Sequence, residues 1–216
     1  MRCSEERVNK VGSCIIVGAG ELYGCPEVHD GDLLIAADGG LSHLKKIGLE
    51  PSIIIGDFDS LDQIPSEKDG AEIIRHPVMK DETDTYLAYR VGVERGYREF
   101  HIFGGVGGRE DHTFANYCLL LSAKREGNDA VLYGKRERTF VLKNEKRELF
   151  GRVGADLSVF AIGGNAVGVS ISGAKYTAVD IELKTDFPLG VSNSFVDGGS
   201  VTITVKQGEL LVMQGY

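Results

Sequence analysis

The chain has 216 residues, which is enough for one large domain or two small ones. Its formal net charge of −8 argues against nonspecific binding to nucleic acid or acidic membranes, although a nucleotide stays possible because a metal can carry positive charge locally. No apolar run approaches the length of a membrane span, and the four cysteines contain no C-x-x-C pair, so we expect a cytoplasmic protein.

The first part of the chain alternates short apolar runs with helix-like segments. This alternation predicts an α/β fold with a Rossmann-like, mainly parallel sheet and helices on both faces. Ligands of such sheets bind beyond the carboxyl ends of the strands, where this sequence places its glycines and acids. The expected strands cover 14–20, 32–40, 51–59, 71–77, 99–108 and 129–134, and the expected helices cover 83–96 and 111–127.

The pattern changes after about residue 135. Residues 151–216 are rich in glycine and show no helical period, which predicts short antiparallel strands. The stretch "SVTITVKQGELLVM" is interpreted as a hairpin through Gln207 and Gly208. We therefore predict a catalytic α/β domain at 1–134 and a β-sandwich domain at 135–216, joined by the charge-rich bridge 135–148.

Two aspartates follow a buried apolar run in "PSIIIGDFDSLD". Asp57 and Asp59 lie two residues apart, so their like charges repel unless a cation balances them. Oxygen ligands of this kind suit Mg²⁺, although a turn in which both side chains cap backbone amides is the alternative. Three more site candidates occur at the same predicted edge, namely Asp38 in "ADGG", and Thr83 and Asp84 in "KDETD". The latter motif also contributes Lys80 and Asp81, with pairing of these two at the surface as the alternative for Lys80.

The stretch "FGGVGGREDH" combines four glycines with polar side chains. Glycines let a backbone approach a ligand closely, and Arg109 can bind two phosphate oxygens at once. Asp111 and His112 lie at a predicted helix start, where anions are favoured, although a structural hydrogen bond is the simpler role for His112. Phosphate-binding groups beside carboxylates indicate transfer of a phosphoryl or diphosphoryl group from a magnesium nucleotide. The pattern does not identify the acceptor.

Five ordered motifs resemble the thiamine pyrophosphokinase family: "ADGG", "GDFDS", "KDETD", "GGREDH" and "GVSNSF". The resemblance implies a homodimer with active sites shared between chains, which transfers the diphosphate of ATP to the hydroxyethyl group of thiamine and releases AMP. It implies that Mg²⁺ is held by Asp57, Asp59 and Asp84, and that Asp111 acts with them in catalysis. ATP would lie against Asp38, Lys80, Thr83, Arg109, Asp111 and His112, and thiamine against Ser192, Asn193 and Phe195.

The chain departs from the family at a few positions. Glu110 replaces a usually apolar residue, Val106 a usually small or polar one, and the chain has no tryptophan with which to stack thiamine. Phe195 or Tyr176 can take that place, with core packing as the alternative for both. Two other functions stay open: a diphosphokinase acting on another alcohol such as a pterin, and a nucleotide sensor without turnover.

Overall fold

The computed structural model describes residues 12–56, 70–75 and 82–216. Asp57, Asp59, Lys80 and Asp81 lie outside these ranges. Within the ranges, no helix combines the length and the apolar character that a membrane span requires.

The first part forms six strands and three helices, and all six predicted strands and both predicted helices are present. Strands β1 to β3 are apolar and buried except at the half-buried Leu33, as central strands of a sheet covered on both faces should be. The strands are β1 (Cys14–Val17), β2 (Leu33–Ala37), β3 (Ile53–Gly56), β4 (Glu72–Arg75), β5 (Glu99–Phe103) and β6 (Asp129–Tyr133), and the helices are α1 (Gly40–Ile47), α2 (Asp84–Glu94) and α3 (Glu110–Arg125).

Helix α1 was not predicted. It is eight residues long and begins inside a glycine pair, which weakens the sequence signal for a helix start. It forms because Leu41 and Leu44 bury against the sheet, while Lys45 and Lys46 occupy its last turn, where positive charge is favoured. Gly48 then ends the helix in a left-handed conformation.

The second part adds eight strands. They are β7 (Glu137–Lys143), β8 (Lys146–Phe150), β9 (Asp156–Ala161), β10 (Ala166–Ser172), β11 (Ala178–Leu183), β12 (Asn193–Ser194), β13 (Ser200–Thr204) and β14 (Glu209–Gly215). The expected antiparallel pairing is present throughout this part.

The strands assemble into two sheets. One sheet has ten strands in the order β12-β9-β14-β7-β6-β5-β1-β2-β3-β4, and the other has four in the order β11-β10-β13-β8. Strands β1 to β6 pair in parallel, whereas β6 pairs with β7 antiparallel. The predicted α/β class is confirmed, with a mixed sheet. The large sheet runs across position 134, and the division into 1–134 and 135–216 stays a prediction.

Two predictions about chain path are wrong. Strands β13 and β14 do not form a hairpin through Gln207 and Gly208, because β13 pairs with β8 and β10 in the small sheet while β14 pairs with β7 and β9 in the large one. The predicted bridge 135–148 consists mostly of strands β7 and β8, which also belong to different sheets. Both segments cross between sheets because each has apolar residues that pack in the shared core.

Three groups of buried residues hold these layers together. Helices α2 and α3 pack on one face of the parallel strands through Ala88, Tyr89 and Leu120, whereas α1 packs on the opposite face. The four-stranded sheet packs over β7, β9 and β14, with Phe195 among the buried side chains between them. The carboxyl ends of β1, β2 and β5 are left open next to the first turns of α2 and α3.

Candidate active site

A cleft of about 380 Å³ opens at the carboxyl ends of the parallel strands. It brings together five residues that the sequence placed in one site: Asp38, Thr83, Asp84, Arg109 and His112. They come from the end of β2 and from the starts of α2 and α3, which are far apart in the chain and adjacent in space because parallel strands end at one edge. Asp57, Asp59 and Lys80 belong to the same predicted site and lie outside the described residues.

Two helices begin at the cleft. Thr83 caps α2, and its hydroxyl oxygen accepts a hydrogen bond of 3.2 Å from the backbone N–H of Tyr86. Arg109 is the residue before α3, and Glu110 and Asp111 lie in that helix's first turn. Helix starts present unpaired N–H groups and partial positive charge, so two of them at one cleft favour an anionic ligand.

Asp38 ends strand β2 with a positive φ of 50°, a left-handed conformation that few residues other than glycine adopt. Its backbone N–H donates a 2.7 Å hydrogen bond to the carbonyl oxygen of Ile55 on the neighbouring strand. Aspartate tolerates this conformation better than a bulky residue does. The turn places Asp38 in the lining of the cleft.

Arg109 and Asp111 form an ion pair at the rim of the cleft. The arginine donates from Nε to Oδ1 at 3.1 Å and from Nη2 to Oδ2 at 2.6 Å. This hydrogen bonding lowers the pKa of the Asp111 carboxyl and raises the pKa of the Arg109 guanidinium. Arg109 lines the cleft, whereas Asp111 does not border it and instead holds the guanidinium at its edge.

The carboxylates of the cleft have the donor chemistry of a magnesium site. Asp38 and Asp84 both line it and offer oxygen ligands, the type that Mg²⁺ prefers. Among the described ranges, no three His, Cys, Asp or Glu side chains form a ready-made metal cluster. A complete site would therefore draw on carboxylates outside those ranges.

Ser192 and Asn193 lie at the far end of the ten-stranded sheet. Strands β9, β14, β7 and β6 separate β12 from β5, a span on the order of 20 Å at the usual strand spacing. Asn193 is buried and its amide holds Tyr176, accepting from the backbone N–H at 2.9 Å and donating to the carbonyl at 2.7 Å. The structure therefore does not bring these residues to the cleft of the same chain.

The predicted contact of Phe195 with thiamine needs a correction. Its ring is 1% exposed and packs in the core against Gly151, so it has no surface to offer a ligand in this structure. Tyr176 is an open aromatic side chain of this region, at 59% exposed, and the Nζ atom of Lys175 lies 5.3 Å from the centre of its ring. The core alternative fits Phe195, whereas it does not fit the exposed Tyr176, whose contact with a ligand stays a prediction.

Part of the cleft lining was not predicted from the sequence. Gly20, Thr85, Thr113 and Asn116 also border the cleft. A signal for Asn116 was available, because Arg109, His112, Thr113 and Asn116 follow the i, i+3, i+4, i+7 spacing of one helix face. That polar stripe interrupts the apolar pattern of α3 where the helix meets the cleft.

A larger cavity of about 720 Å³ lies on the sheet face that carries α1. Its wall includes Phe103 and Tyr133, whose rings stack with their centres 4.4 Å apart, and His101, whose Nδ1 atom is 2.9 Å from the Tyr133 hydroxyl. Burial lowers the pKa of His101 and raises that of Tyr133. No predicted site residue within 12–56, 70–75 and 82–216 lines this cavity, so the smaller cleft is the better candidate for catalysis.

The fold and cleft define an α/β protein whose acids, arginine and helix starts meet at the carboxyl edge of a mixed sheet. Two family models match this chain: "Thiamin pyrophosphokinase, catalytic domain" at residues 27–132 and "Thiamin pyrophosphokinase, vitamin B1 binding domain" at residues 141–210. The chain belongs to the thiamin pyrophosphokinase family.

Individual relatives agree with the family match. A thiamine pyrophosphokinase of Bacillus subtilis strain 168 is 34% identical over 103 residues, so the match covers 46% of this chain and only 47% of that protein. A crystal structure of thiamine pyrophosphokinase from Bacillus subtilis has a TM-score of 0.83 at 22% identity, covering 94% of this chain and 99% of that one. The yeast enzyme has a TM-score of 0.75 at 17% identity, covering 96% and 87%. These structural likenesses establish the fold.

Proposed function

We propose that this protein is a cytoplasmic thiamine diphosphokinase that transfers the diphosphate of ATP to the hydroxyethyl oxygen of thiamine and releases AMP. One observation carries the proposal: a single cleft joins Asp38, Asp84 and Arg109 at two helix starts, in a chain of the thiamin pyrophosphokinase family. The acids suit a metal, and the other groups suit phosphates. We further propose that the parallel part is a Rossmann-like nucleotide domain and the second part a β-sandwich that binds thiamine.

The residues of the cleft have separate tasks in this proposal. Arg109 exchanges its contact with Asp111 for two oxygens of the transferred diphosphate, and the starts of α2 and α3 present N–H groups to the remaining oxygens. Asp84 would hold Mg²⁺ together with Asp57 and Asp59, and Asp38, Lys80, Thr83 and His112 complete the ATP side. When bound, Mg²⁺ would neutralise charge on the diphosphate.

The acceptor side lies in the second part of the chain. Asn193 orients the backbone of Tyr176, and the open ring of Tyr176 offers a face for the thiazolium cation. Ser192 is exposed next to this segment and can supply a polar contact. The oxygen of the thiamine hydroxyl then forms a bond to the β-phosphorus of ATP, the bond from that phosphorus to the α–β bridging oxygen breaks, and the hydroxyl proton is released.

The test incubates the protein with ATP, Mg²⁺ and thiamine and identifies the products. We expect AMP and thiamine diphosphate in equal amounts. An Asp84→Asn variant should lose on the order of 100-fold or more in turnover because a charged ligand is removed, whereas Asp30→Asn, an exposed aspartate outside the cleft, should match the parent. Formation of ADP would indicate a simple kinase, and product only in a parallel incubation with a pterin in place of thiamine would indicate another acceptor. No turnover with either acceptor would favour a sensor.

A further inference from the structure

Two glycine-rich loops form one side of the cleft. Residues 18–21 follow β1 and residues 104–108 follow β5, and we call them together the glycine wall. Backbone hydrogen bonds join them: Gly18 N–H to the carbonyl of Phe103 at 2.8 Å, Gly20 N–H to that of Gly104 at 2.7 Å, and Glu21 N–H to that of Val106 at 2.9 Å. The wall therefore extends the pairing of β1 with β5 beyond the ends of both strands.

The two loops touch backbone to backbone. A Cβ atom at Gly20 would lie 2.6 Å from the carbonyl oxygen of Val106, and one at Gly104 would collide with the carbonyl oxygen of Gly18. Side chains are therefore excluded at Gly20 and Gly104, and these two positions have no interlocking side-chain packing of their own. Val106 packs partly against the core, and hydrogen bonds from neighbouring helices can fix the rest of the wall relative to the cleft.

Two side chains provide these contacts from opposite faces of the sheet. Asn116 on α3 is 4% exposed, and its Nδ2 atom donates to the carbonyl of Gly105 at 2.7 Å. His43 on α1 lies with Nε2 2.7 Å from the carbonyl oxygen of Gly20, where the ring nitrogen acts as the donor. One contact falls on each loop of the wall.

We infer that Asn116 and His43 are positioning residues that brace the glycine wall and so set its distance from the phosphates of ATP. The inference rests on the proposed function and assigns two side chains outside the acid and arginine set. If the Asn116 or His43 side chain is removed, a carbonyl oxygen of the wall loses its hydrogen-bond donor. The loop is then free to move toward a different donor. Displacements near 1 Å in a phosphate site cost about 100-fold in rate.

The first measurement is the rate of amide hydrogen exchange in the glycine wall. Asn116→Ala and His43→Ala should speed exchange of the Gly18, Gly20 and Glu21 amides by about tenfold or more, since these amides lie in the braced pairing. The matched control for Asn116 is Asn128→Ala. Asn128 is 1% exposed, just beyond the other end of α3, and donates to the Tyr89 hydroxyl at 2.7 Å. The control should leave the wall amides within about twofold of the parent.

The second measurement is kinetic. Both brace variants should lower kcat/KM for ATP by about 10- to 100-fold, while Asn128→Ala and His101→Ala stay within about twofold at comparable thermal midpoints. His101 is a suitable histidine control because it is half-buried, is bonded to Tyr133 at 2.9 Å and does not line the cleft. His43→Gln keeps an N–H donor at a similar reach and should restore most of the activity.

The outcomes separate the two proposals. If the brace variants exchange and turn over like their controls, the bracing is wrong. If the parent forms no thiamine diphosphate, the proposed function fails, and exchange of the wall amides still decides whether Asn116 and His43 hold the wall. If exchange speeds up but kcat/KM does not fall, the braces are structural and the inferred effect on the phosphates is overturned.

Discussion

At the edge of the cleft, the guanidinium of Arg109 is already paired with the carboxylate of Asp111. The side chains of Arg109 and Asp111 are 72% and 63% exposed, so water screens their attraction and a stronger anion can replace the carboxylate. A diphosphate offers more charge and the same pair of oxygens to a guanidinium. In the proposed function, Asp111 keeps the guanidinium extended at the rim until the nucleotide binds.

This arrangement predicts the effect of Arg109→Lys. Lysine keeps the charge but loses the two parallel N–H donors, so kcat/KM for ATP should fall by at least about tenfold. The thermal midpoint should not change, because the side chain is exposed. Steady-state kinetics with varied ATP is the measurement.

The control is Arg95→Lys. Arg95 also binds a carboxylate with two contacts, from Nη2 to both oxygens of Glu72 at 2.8 and 2.7 Å, but at the end of α2 that points away from the cleft. It should leave kcat/KM unchanged. Equal effects of the two substitutions would contradict a phosphate role for Arg109.

At the scale of elements, two aromatic residues near β12 and β11 differ in burial, one lying in the core and the other at the surface. Phe195 follows β12 and faces the core, while Tyr176 precedes β11 and faces outward. Asn193 connects them, because its amide holds the backbone of Tyr176 from within the buried layer. The sequence motif "GVSNSF" thus holds the backbone of Tyr176 through Asn193.

The two aromatic residues should separate stability from acceptor binding. Phe195→Ala should reduce the free energy of unfolding by about 3–5 kcal/mol because it leaves a cavity in the core, whereas Phe150→Ala, an exposed phenylalanine, should change it little. Tyr176→Ala should raise KM for thiamine about tenfold through loss of the cation contact. Denaturant unfolding and kinetics with varied thiamine measure the two effects, and an unchanged KM in Tyr176→Ala would refute its contact with thiamine.

Sequence patterns identified most elements because burial shapes local composition. The apolar runs of β1 to β3 and the capped helix α2 carry their signals within a few residues. The choice of pairing partner has no such local signal. Strands β13 and β14 have the sequence pattern of a hairpin, yet they pair in different sheets, and this depends on the packing of both sheets on a shared core. Helix α1 was missed since its formation depends on burial rather than on helix propensity.

At the scale of the molecule, the sequence predicted the charged residues that line the described part of the cleft, but not the side chains that support its backbone. Asp38, Asp84 and Arg109 carry chemistry that a short motif displays, and parallel strands must bring such motifs to one edge. His43 and Asn116 act through contacts with backbone carbonyls of distant loops. No short pattern encodes those contacts, although the polar stripe along α3 marks one of them.

The separation of the two predicted half-sites also bears on assembly. Ser192 and Asn193 lie several strands from the cleft of their own chain, so a site that combined them with a cleft would need a second chain. The stretch from just before β11 to just before β12 leaves several large apolar side chains exposed, an uncommon arrangement on a monomer. They are Tyr176, Val179, Phe187, Leu189 and Val191. We therefore propose a symmetric homodimer in which the second part of one chain faces the cleft of its partner.

Mixing two inactive variants tests this arrangement. One variant carries Asp84→Asn, which disables the cleft, and the other carries Asn193→Ala, which removes the hydrogen bonds that hold Tyr176. With shared sites and full subunit exchange, half of the dimers are mixed and each has one intact site, so activity should return to about one quarter of the parent value. If Asn193→Ala does not fold, Tyr176→Asp serves as the second variant. Proven exchange without recovery would show that each chain builds its own site, and a fully active monomer would exclude the dimer.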